Sequence, residues 1–157
     1  RYSVDRSWFV PHFEKMLYDQ MQLAHTYLNA FQLSKDRVYA RIANEIFIYL
    51  LRDMHDPNGG FYSAEDADSD DPYSPGEHGE GAFYLWTRAD IANRLKPNDA
   101  NIFITAYGLK EDGNVERDPM QEFYGRNILY RAKNDDEVAN FLLIEPKEVS
   151  ESLLASK

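Results

Sequence analysis

Cysteine is absent from this 157-residue sequence. Without a thiol, the stretch can form no disulfide bond, no thiolate zinc site, no cysteine nucleophile and no dithiol redox motif. Basic residues are also few, because 17 lysines and arginines stand against 27 aspartates and glutamates, and the formal net charge is -10. Nucleic-acid binding needs a basic stripe, and an anionic bilayer repels an acidic protein, so we predict no nucleic-acid and no membrane partner.

A long apolar run and a leader segment are missing as well. No 18 consecutive apolar residues occur, so the sequence predicts no transmembrane helix. It begins at Arg1 without a signal-peptide pattern and ends at Lys157 inside a predicted helix. We interpret it as an internal piece of a longer, soluble protein, whose compartment (cytoplasm or an organelle lumen) the sequence does not give.

Apolar residues are plentiful, at 43% hydrophobic and 14% aromatic, which is enough for a packed core. Helical spacing predicts a first helix over residues 11–31 and a second that starts after the N-cap Asp36 and ends at the turn 56–60. These two helices should form an antiparallel hairpin. Further helices are predicted after Thr87, over residues 99–107, after Asp135 as N-cap, and after Pro146.

Two short aromatic segments, residues 61–64 and 82–86, are typical of strands. Between them lies an acidic loop, residues 65–81, which contains seven acids and no lysine or arginine. Residues 109–126 are expected to form a loop, followed by a short strand within 125–130. The predicted fold class is therefore mainly α, with a short aromatic β-hairpin between helices.

The first candidate site surrounds the start of the first predicted helix. Trp8 supplies an aromatic face, His12 can act as a general acid or base near neutral pH, and Glu14 adds a carboxylate. The residues alone favour a plainer alternative, in which Lys15 and Asp19 form a surface ion pair and His12 is a loop histidine bonded to backbone.

The second candidate site is the acidic loop, where Glu65 and Asp66 follow a predicted strand. Adjacent residues of an extended chain point to opposite sides, so Glu65 is better matched with Asp68, and Asp66 with Glu14 or Glu80. Carboxylates paired in this way can divide acid and base work between them. The alternative is a solvated acidic loop without a chemical role.

Part of this loop resembles an EF-hand, because Asp66, Asp68 and Asp70 alternate and Glu77 falls at the twelfth position. Asp71, however, occupies the position of the turn glycine, and Pro72 follows it. We therefore assign no metal site, although another kind of divalent-cation site in the loop stays open. Phosphate-cradling glycine loops and a serine nucleophile elbow are absent, so we expect no cofactor.

Four segments together resemble the spermatogenesis-associated, thioredoxin-domain-containing family: RYSVDRSWFVPHFEKMLYDQ (1–20), GGFYSAEDADSD (59–70), EGAFYLWT (80–87) and EFYGRNILY (122–130). The resemblance implies a thioredoxin-like N-terminal domain followed by an (α/α)6 toroid of the six-hairpin glycosidase type. Such toroids are similar to N-acylglucosamine epimerases and unsaturated glucuronyl hydrolases. Residues 1–157 would form part of the toroid, with the thioredoxin-like domain and the other hairpins outside this chain.

The resemblance also implies that both motif segments lie among loops at the pocket end of the toroid. On their chemistry, we assign catalytic roles to His12, Glu14 and Asp66. We assign substrate binding to six further residues: Trp8, Tyr18, Glu65, Asp68, Tyr84 and Trp86.

Two functions stay open at this point. One is a carbohydrate-active enzyme, either a sugar epimerase or a glycoside hydrolase, that uses general acid/base chemistry and is inactive as an isolated fragment. The other is a non-catalytic toroid that binds a sugar-like ligand or a protein, is regulated by its own thioredoxin-like domain, and serves fertility or spermatogenesis in animals.

Overall fold

The computed structural model of the chain describes residues 3–116 and 123–156. About half of these residues lie in six helices, and six short strands form three antiparallel pairs, so the mainly helical class is confirmed. None of the helices in these two ranges is long and apolar enough to cross a membrane. The motif residues Arg1, Tyr2 and Glu122, part of the predicted loop 109–126, and Lys157 lie outside the described residues.

The chain divides into two compact units. The first comprises Arg1–Asp70 and His78–Glu80, and the second comprises Asp71–Glu77 and Gly81–Lys157. The acidic segment around residue 70 is therefore shared between the two units along the chain. The prediction of one partial toroid domain over residues 1–157 stays a prediction.

The first unit contains the predicted helical hairpin, formed by α1 (Leu17–Ser34) and α2 (Arg37–Tyr49). Lys35 ends α1 in the left-handed conformation, at φ 59°. Asp36 then accepts a hydrogen bond from the amide of Val38 at 2.9 Å, which caps α2 as predicted. A single π-helical turn, Leu50–Met54, extends α2, and its first and last residues are buried.

Small residues let the two helices approach each other. Ala24 is the buried residue of α1 and Ala43 the buried residue of α2. Beside them the rings of Tyr27 and Tyr39 stack with their centroids 6.2 Å apart. The stacked rings are thus one contact between the two helices, each of which also buries an alanine.

The first helix begins at Leu17 and not at Pro11, so its predicted start is wrong. Pro11 forms an antiparallel bridge with Ser3. Strand β1 (Lys15–Met16) pairs with strand β2 (Ala64–Glu65), with Lys15 directly opposite Glu65. Pairing with a distant strand uses the backbone groups that the first helical turn would need, and the sequence pattern of residues 11–16 does not show this partner.

The predicted aromatic β-hairpin is also wrong. The acidic loop itself contains a hairpin, in which β3 (Asp68–Asp70) pairs with β4 (His78–Glu80). The segment Ala82–Tyr84 is a 3-10 turn, and β5 (Leu85–Trp86) pairs with β6 (Asn127–Ile128). Aromatic residues favour strands generally, but their composition does not name the partner, and here the partner of β5 is 41 residues further on at Asn127.

The second unit is built on an apolar cluster shared by α4 (Pro97–Tyr107), α5 (Asp135–Leu142) and α6 (Pro146–Ala155). The buried members of this cluster are Ile102, Ala106, Val138, Ala139, Val149 and Leu153. Burial of such a set is the main stabilising contribution that a small helical unit can make. Helix α3 (Arg88–Arg94) precedes it, and Gly108 ends α4 at φ 60°, as predicted.

Capping boxes begin two of these helices. The Thr87 hydroxyl accepts from the amide of Asp90, whose carboxylate accepts from the amide of Thr87, which confirms the predicted cap of α3. The predicted cap at Asp135 is displaced by one residue. Asn134 accepts from the Glu137 amide at 2.9 Å and donates its own amide to the Glu137 carboxylate at 2.7 Å, and Asp135 is the first helical residue.

A buried asparagine organises the strands of the second unit. Asn127 is fully buried, and its side-chain amide donates to the carbonyls of Trp86 at 3.1 Å and Lys110 at 3.0 Å. Its side-chain oxygen accepts from the amide of Lys110 at 2.8 Å. One side chain therefore satisfies three backbone groups and fixes the position of Trp86.

Candidate functional site

Trp8 lies in a tight loop that Asp5 holds together. The Asp5 carboxylate accepts hydrogen bonds from the amides of Ser7 at 2.9 Å, Phe9 at 2.9 Å and Val10 at 2.7 Å, and from the Ser3 hydroxyl at 2.7 Å. The bond from Ser3, followed by those backbone amides, lowers the pKa of Asp5. The residues of this loop are thus held by a single ionised carboxylate.

The loop presents Trp8 to solvent in an unusual conformation. Trp8 has φ 58°, in the left-handed region that bulky residues rarely adopt, and its exposed fraction is 80%. Positive φ at a bulky residue costs free energy and is found mostly where structure around it enforces the geometry. The structure thus places the predicted sugar-binding tryptophan on the surface of the first unit.

His12 lies between two carboxylates. Its Nδ1 is 3.2 Å from Oε1 of Glu80, and its Nε2 is 3.5 Å from Oε2 of Glu14. All three side chains are partly exposed, at 22% for His12, 32% for Glu80 and 40% for Glu14. Two residues predicted as catalytic, His12 and Glu14, are therefore brought together, and Glu80, predicted only as a partner for Asp66, joins His12.

Only one of the two contacts of His12 is short enough for a good hydrogen bond. The contact of Nδ1 with Glu80 is within hydrogen-bonding range, and the contact of Nε2 with Glu14 is beyond the usual limit. A neutral imidazole donates from one nitrogen and carries a lone pair on the other. Donation from Nδ1 to Glu80 leaves the lone pair on Nε2, which is the arrangement of an oriented general base.

A second cluster uses Lys15, which sequence reasoning placed at the surface. Lys15 is buried, with 6% of its surface exposed, so the predicted Lys15–Asp19 surface pair is wrong. Its ammonium binds Oε1 of Glu65, and the hydroxyl of Tyr49 donates to Oε2 of the same carboxylate. The Lys15 ammonium also lies 5.9 Å from the centroid of the Tyr49 ring. Lys15 was missed because only the β1–β2 register brings it to Glu65, and Tyr49 because it reaches Glu65 from the end of α2.

Alternation along one extended segment separates the two clusters. Phe13 and Lys15 are buried, whereas His12 and Glu14 are half-buried and contact each other. Successive side chains of an extended chain point to opposite sides. The same short segment therefore supplies a histidine–carboxylate cluster on one side and a lysine–carboxylate–phenol cluster on the other.

Asp66 and Asp68 of the acidic loop are more exposed than a catalytic pair requires. Asp66 is exposed, and its Oδ1 accepts from the amide of Asp68 at 3.1 Å. Asp68 is exposed too, and stands opposite Glu80 in the β3–β4 register. Among the described residues, no group of three or more histidine, aspartate or glutamate side chains could hold a metal ion.

The remaining predicted binding residues are aromatic. Tyr18 lies at the start of α1 and is 54% exposed. Tyr84 and Trp86 belong to the second unit, where Tyr84 packs edge-on against Phe83 at 5.1 Å. The guanidinium of Arg94 lies 5.5 Å from the centroid of the Trp86 ring, so this tryptophan makes a cation–π contact within its own unit.

A further charged cluster in the second unit holds residues 71–77. The Asp71 carboxylate accepts from the amide of Tyr73 at 2.8 Å and from the Arg126 guanidinium at 2.7 Å, and Arg126 lies 5.0 Å from the Tyr73 ring centroid. The Tyr73 amide first, and then Arg126, lower the pKa of Asp71 against the opposing effect of burial. The side chain of Asp71 is only 11% exposed, so this cluster positions backbone and is a structural anchor.

Taken together, the fold and these contacts define a mainly helical chain with an acidic and aromatic candidate site in its first unit. The chain is similar to spermatogenesis-associated protein 20 of Homo sapiens, with 45% identity over 144 residues, and to the Mus musculus protein of the same name, with 44% identity over 144 residues. Each match covers 82% of this chain and 18% of the relative. The chain is also 36% identical over 168 aligned positions to an uncharacterized protein of Caenorhabditis elegans. That match covers 100% of this chain and 23% of the Caenorhabditis elegans protein.

The chain thus spans about a fifth of the length of the curated relatives it matches. No family model matches the chain. The chain is homologous to one segment of proteins named for their association with spermatogenesis, and to that extent the resemblance stated from the four motifs is confirmed.

Proposed function

We propose that this chain forms part of an (α/α)6 toroid of the six-hairpin glycosidase type, preceded in the full-length protein by a thioredoxin-like domain. In that protein, the first unit contributes to a carbohydrate-active site that works by general acid/base chemistry. The observation that carries the proposal is the position of His12 between Glu80 and Glu14, at 3.2 and 3.5 Å. The α1–α2 hairpin supports the toroid, because such a fold is assembled from helical pairs.

The chemistry that this arrangement favours is epimerisation. Nε2 of His12 takes a proton from a sugar carbon next to a carbonyl, which leaves an enolate, and the same imidazolium or a second acid then protonates that carbon on its other face. Glu80 holds Nδ1 and stabilises the imidazolium that forms, and Glu14 adds a second negative charge near Nε2. Trp8 supplies an aromatic face for the C–H side of a sugar.

A glycoside hydrolase fits these contacts less well. Hydrolysis needs two carboxyl groups facing each other, about 5 Å apart for retention and about 6.5–9.5 Å apart for inversion. Glu14 and Glu80 face His12, and Glu65 is bound by Lys15 and Tyr49. Asp66, the other candidate acid, is exposed and bonded to the Asp68 amide, so its catalytic role is the weakest part of the original assignment.

Proton abstraction from carbon can be measured directly by incubating the full-length protein with mono- and disaccharides in D2O and following deuterium incorporation by NMR. His12→Asn should reduce the incorporation rate by about 10^2–10^4-fold, the range for removal of a general base, while sugar binding in a thermal-shift assay persists. His25→Asn is the matched control, because His25 is an exposed histidine on α1, and it should leave the rate unchanged. Full activity in His12→Asn would contradict the proposed role of His12.

The second candidate function is a non-catalytic toroid that binds a sugar-like ligand or a protein, with a regulatory role such as the names of the relatives suggest. The observation that favours it is Trp8, which is 80% exposed at positive φ in a loop held by Asp5. A binding shift that Trp8→Ala removes, with no deuterium incorporation by the unsubstituted protein, would select this function. If no sugar gives a response, both the enzyme and the sugar-binding hypotheses are contradicted. The remaining hypothesis is then a toroid that binds a protein.

A further inference from the structure

An open groove of about 290 Å³ lies between α1 and α2 in the first unit, apart from the residues assigned to acid/base chemistry. Its polar walls come from Lys15, Gln20, Glu45 and Tyr49, and its apolar floor from Ile42 and Ile46. Pockets for small ligands begin at roughly 300 Å³ and combine an apolar surface with a few placed polar groups. The groove is open and lies at the lower end of this size range, and its lining has the mixture of apolar and polar groups of a small-molecule site.

The polar wall of this groove is held in place by Glu65. This carboxylate binds the Lys15 ammonium through one oxygen and the Tyr49 hydroxyl through the other, and Lys15 stands opposite Glu65 in the β1–β2 pairing. The side chain of Lys15 is only 7% exposed. The Glu65 side chain is 40% exposed, so of the two charged groups only the lysine is removed from water, which is costly without a partner. Glu65 is that partner, and it holds the Lys15 ammonium and the Tyr49 hydroxyl at the groove.

The charges of the groove define the ligand class. Lys15 carries one positive charge and Glu45 one negative charge, and Glu45 is also paired with Arg41 at 2.9 Å. The lining therefore has no excess of either sign, and an ionic ligand would gain no net attraction. The Tyr49 hydroxyl donates its only proton to Glu65, so its oxygen can only accept from a ligand. The lining therefore offers the Lys15 ammonium as a donor, the Gln20 amide, which donates and accepts, the oxygens of Tyr49 and Glu45 as acceptors, and two isoleucines.

We propose that this groove binds an uncharged, polyhydroxylated small molecule, with Tyr49 and Gln20 as hydrogen-bonding residues and Ile42 and Ile46 against its C–H groups. Hydroxyl groups act as donor and acceptor together, which matches the mixed set of donors and acceptors on the wall. The site is separate from the acid/base proposal, because Lys15 and His12 lie on opposite sides of their segment. It holds whether or not His12 is catalytic.

The test is calorimetric titration of the full-length protein with four neutral probes, glucose, mannose, N-acetylglucosamine and myo-inositol, and two charged ones, glucose 6-phosphate and glucuronate. We expect saturable binding of at least one neutral probe, and weaker binding of the charged compounds. Tyr49→Phe and Gln20→Ala each remove one hydrogen bond to the probe. Each should therefore raise the Kd by about five- to tenfold.

Two matched substitutions serve as controls. Tyr39→Phe alters another half-buried tyrosine of α2, and Gln22→Ala an exposed glutamine of α1, and neither residue lines the groove. Both should bind the probe with unchanged Kd, and all four variants should keep the thermal unfolding midpoint close to that of the parent. Unchanged affinity in Tyr49→Phe and Gln20→Ala, stronger binding of the charged probes, or no binding of any neutral probe would each overturn the inference. Loss of deuterium incorporation in His12→Asn with unchanged probe affinity would show that the groove binds its ligand independently of His12.

Discussion

In the second unit, six apolar side chains from three helices share one buried cluster, whereas α1 and α2 of the first unit each bury a single alanine. Large apolar side chains of these two helices are instead exposed: Met21, Leu23, Leu28, Leu33, Val38, Phe47 and Ile48. The first unit is also the one that carries His12, Lys15 and their carboxylates. The unit with the candidate chemistry is therefore the one with less of its apolar surface buried.

The two units are held together by different kinds of contact. The second unit relies on a packed core, two capping boxes and buried asparagines that satisfy backbone groups. The first unit relies more on side chain to side chain contacts between charged groups, as at Glu65 and Glu80. Such contacts hold a geometry without adding much stability, which suits a site that has to present charge. Matched substitutions, one in each unit, test this contrast.

The largest effect is expected at a tight backbone approach in the second unit. Gly113 has φ 86°, and a Cβ there would lie 2.5 Å from the carbonyl oxygen of Arg126. Gly59 of the first unit has φ 104°, but nothing lies within 4 Å of its Cβ position. Gly113→Ala should cost several kcal/mol, and Gly59→Ala about 1 kcal/mol from backbone strain alone. Amide hydrogen exchange around each site measures both, and equal protection losses would contradict the contrast.

The next effect concerns a buried polar side chain. Asn127→Ala leaves the carbonyls of Trp86 and Lys110 and the amide of Lys110 without their partner, and should cost about 3 kcal/mol or more. Asn44→Ala in α2 is the counterpart in the first unit, and because Asn44 is exposed and alanine favours helix, it should change stability by less than about 0.5 kcal/mol. Urea unfolding followed by circular dichroism gives the free energy of unfolding of both variants. A small decrease for Asn127→Ala would contradict its structural role.

A pair of neighbouring aspartates tests the contrast by pH. The pKa of Asp71 is lowered in the folded protein by the Tyr73 amide and Arg126, so its carboxylate stabilises the fold above the unfolded pKa of about 3.9. This stabilisation is lost as pH falls through the lower folded pKa. Asp71→Asn should therefore cost roughly 2 kcal/mol at neutral pH and progressively less below about pH 4.

Asp70 supplies the comparison, because it lies one residue away in the first unit and its side chain is 94% exposed beside His78. Asp70→Asn should leave stability unchanged from about pH 7 to about pH 3. Urea titrations of both variants across this range give the two curves. A constant cost for Asp71→Asn at every pH would show that the ionised carboxylate is not the stabilising group.

Local signals in the sequence were enough to predict much of the helical structure. The caps at Asp36 and Thr87, the helix end at Gly108 and the start at Pro146 each depend on a residue and its next few neighbours. Each of these was confirmed because capping and chain termination are short-range effects. The displaced cap at Asn134 shows the limit, since asparagine and aspartate are equally good caps and two of them stand side by side.

Features that depend on distant partners could not be predicted in the same way. The pairing of Lys15 with Glu65 spans 50 residues and determines both where α1 begins and why Lys15 is buried. The same holds for His12 with Glu80, which are 68 residues apart. The sequence thus predicted which residue types form the site, and the structure supplied which of them meet. A register of two residues in β1 and β2 is too short to leave an alternation pattern.

Caps provide a comparison in which the units should behave alike. Asp36→Ala in the first unit removes one bond to the Val38 amide, and Asn134→Ala in the second removes the bond to the Glu137 amide. Each should cost about 1 kcal/mol, because both caps act on helix ends whatever the core beneath. Hydrogen exchange in the first turns of α2 and α5 measures each loss. A much larger effect at Asn134 would mean that the cap also supports the packed cluster.

The smallest expected difference is between two exposed ion pairs of the same spacing. Arg41 pairs with Glu45 in α2 at 2.9 Å, with side chains 64% and 57% exposed. Arg131 pairs with Asp135, is 37% exposed, and lies 5.7 Å from the Tyr107 ring centroid. Arg41→Ala should cost about 0.3 kcal/mol and lose its effect in high salt, since water and ions screen such a pair. Arg131→Ala should cost about 1 kcal/mol, part of it independent of salt, because the ring contact is lost as well. Urea unfolding at low and high ionic strength separates the two contributions, and identical salt dependence for both variants would show that the second unit draws nothing extra from its aromatic contact.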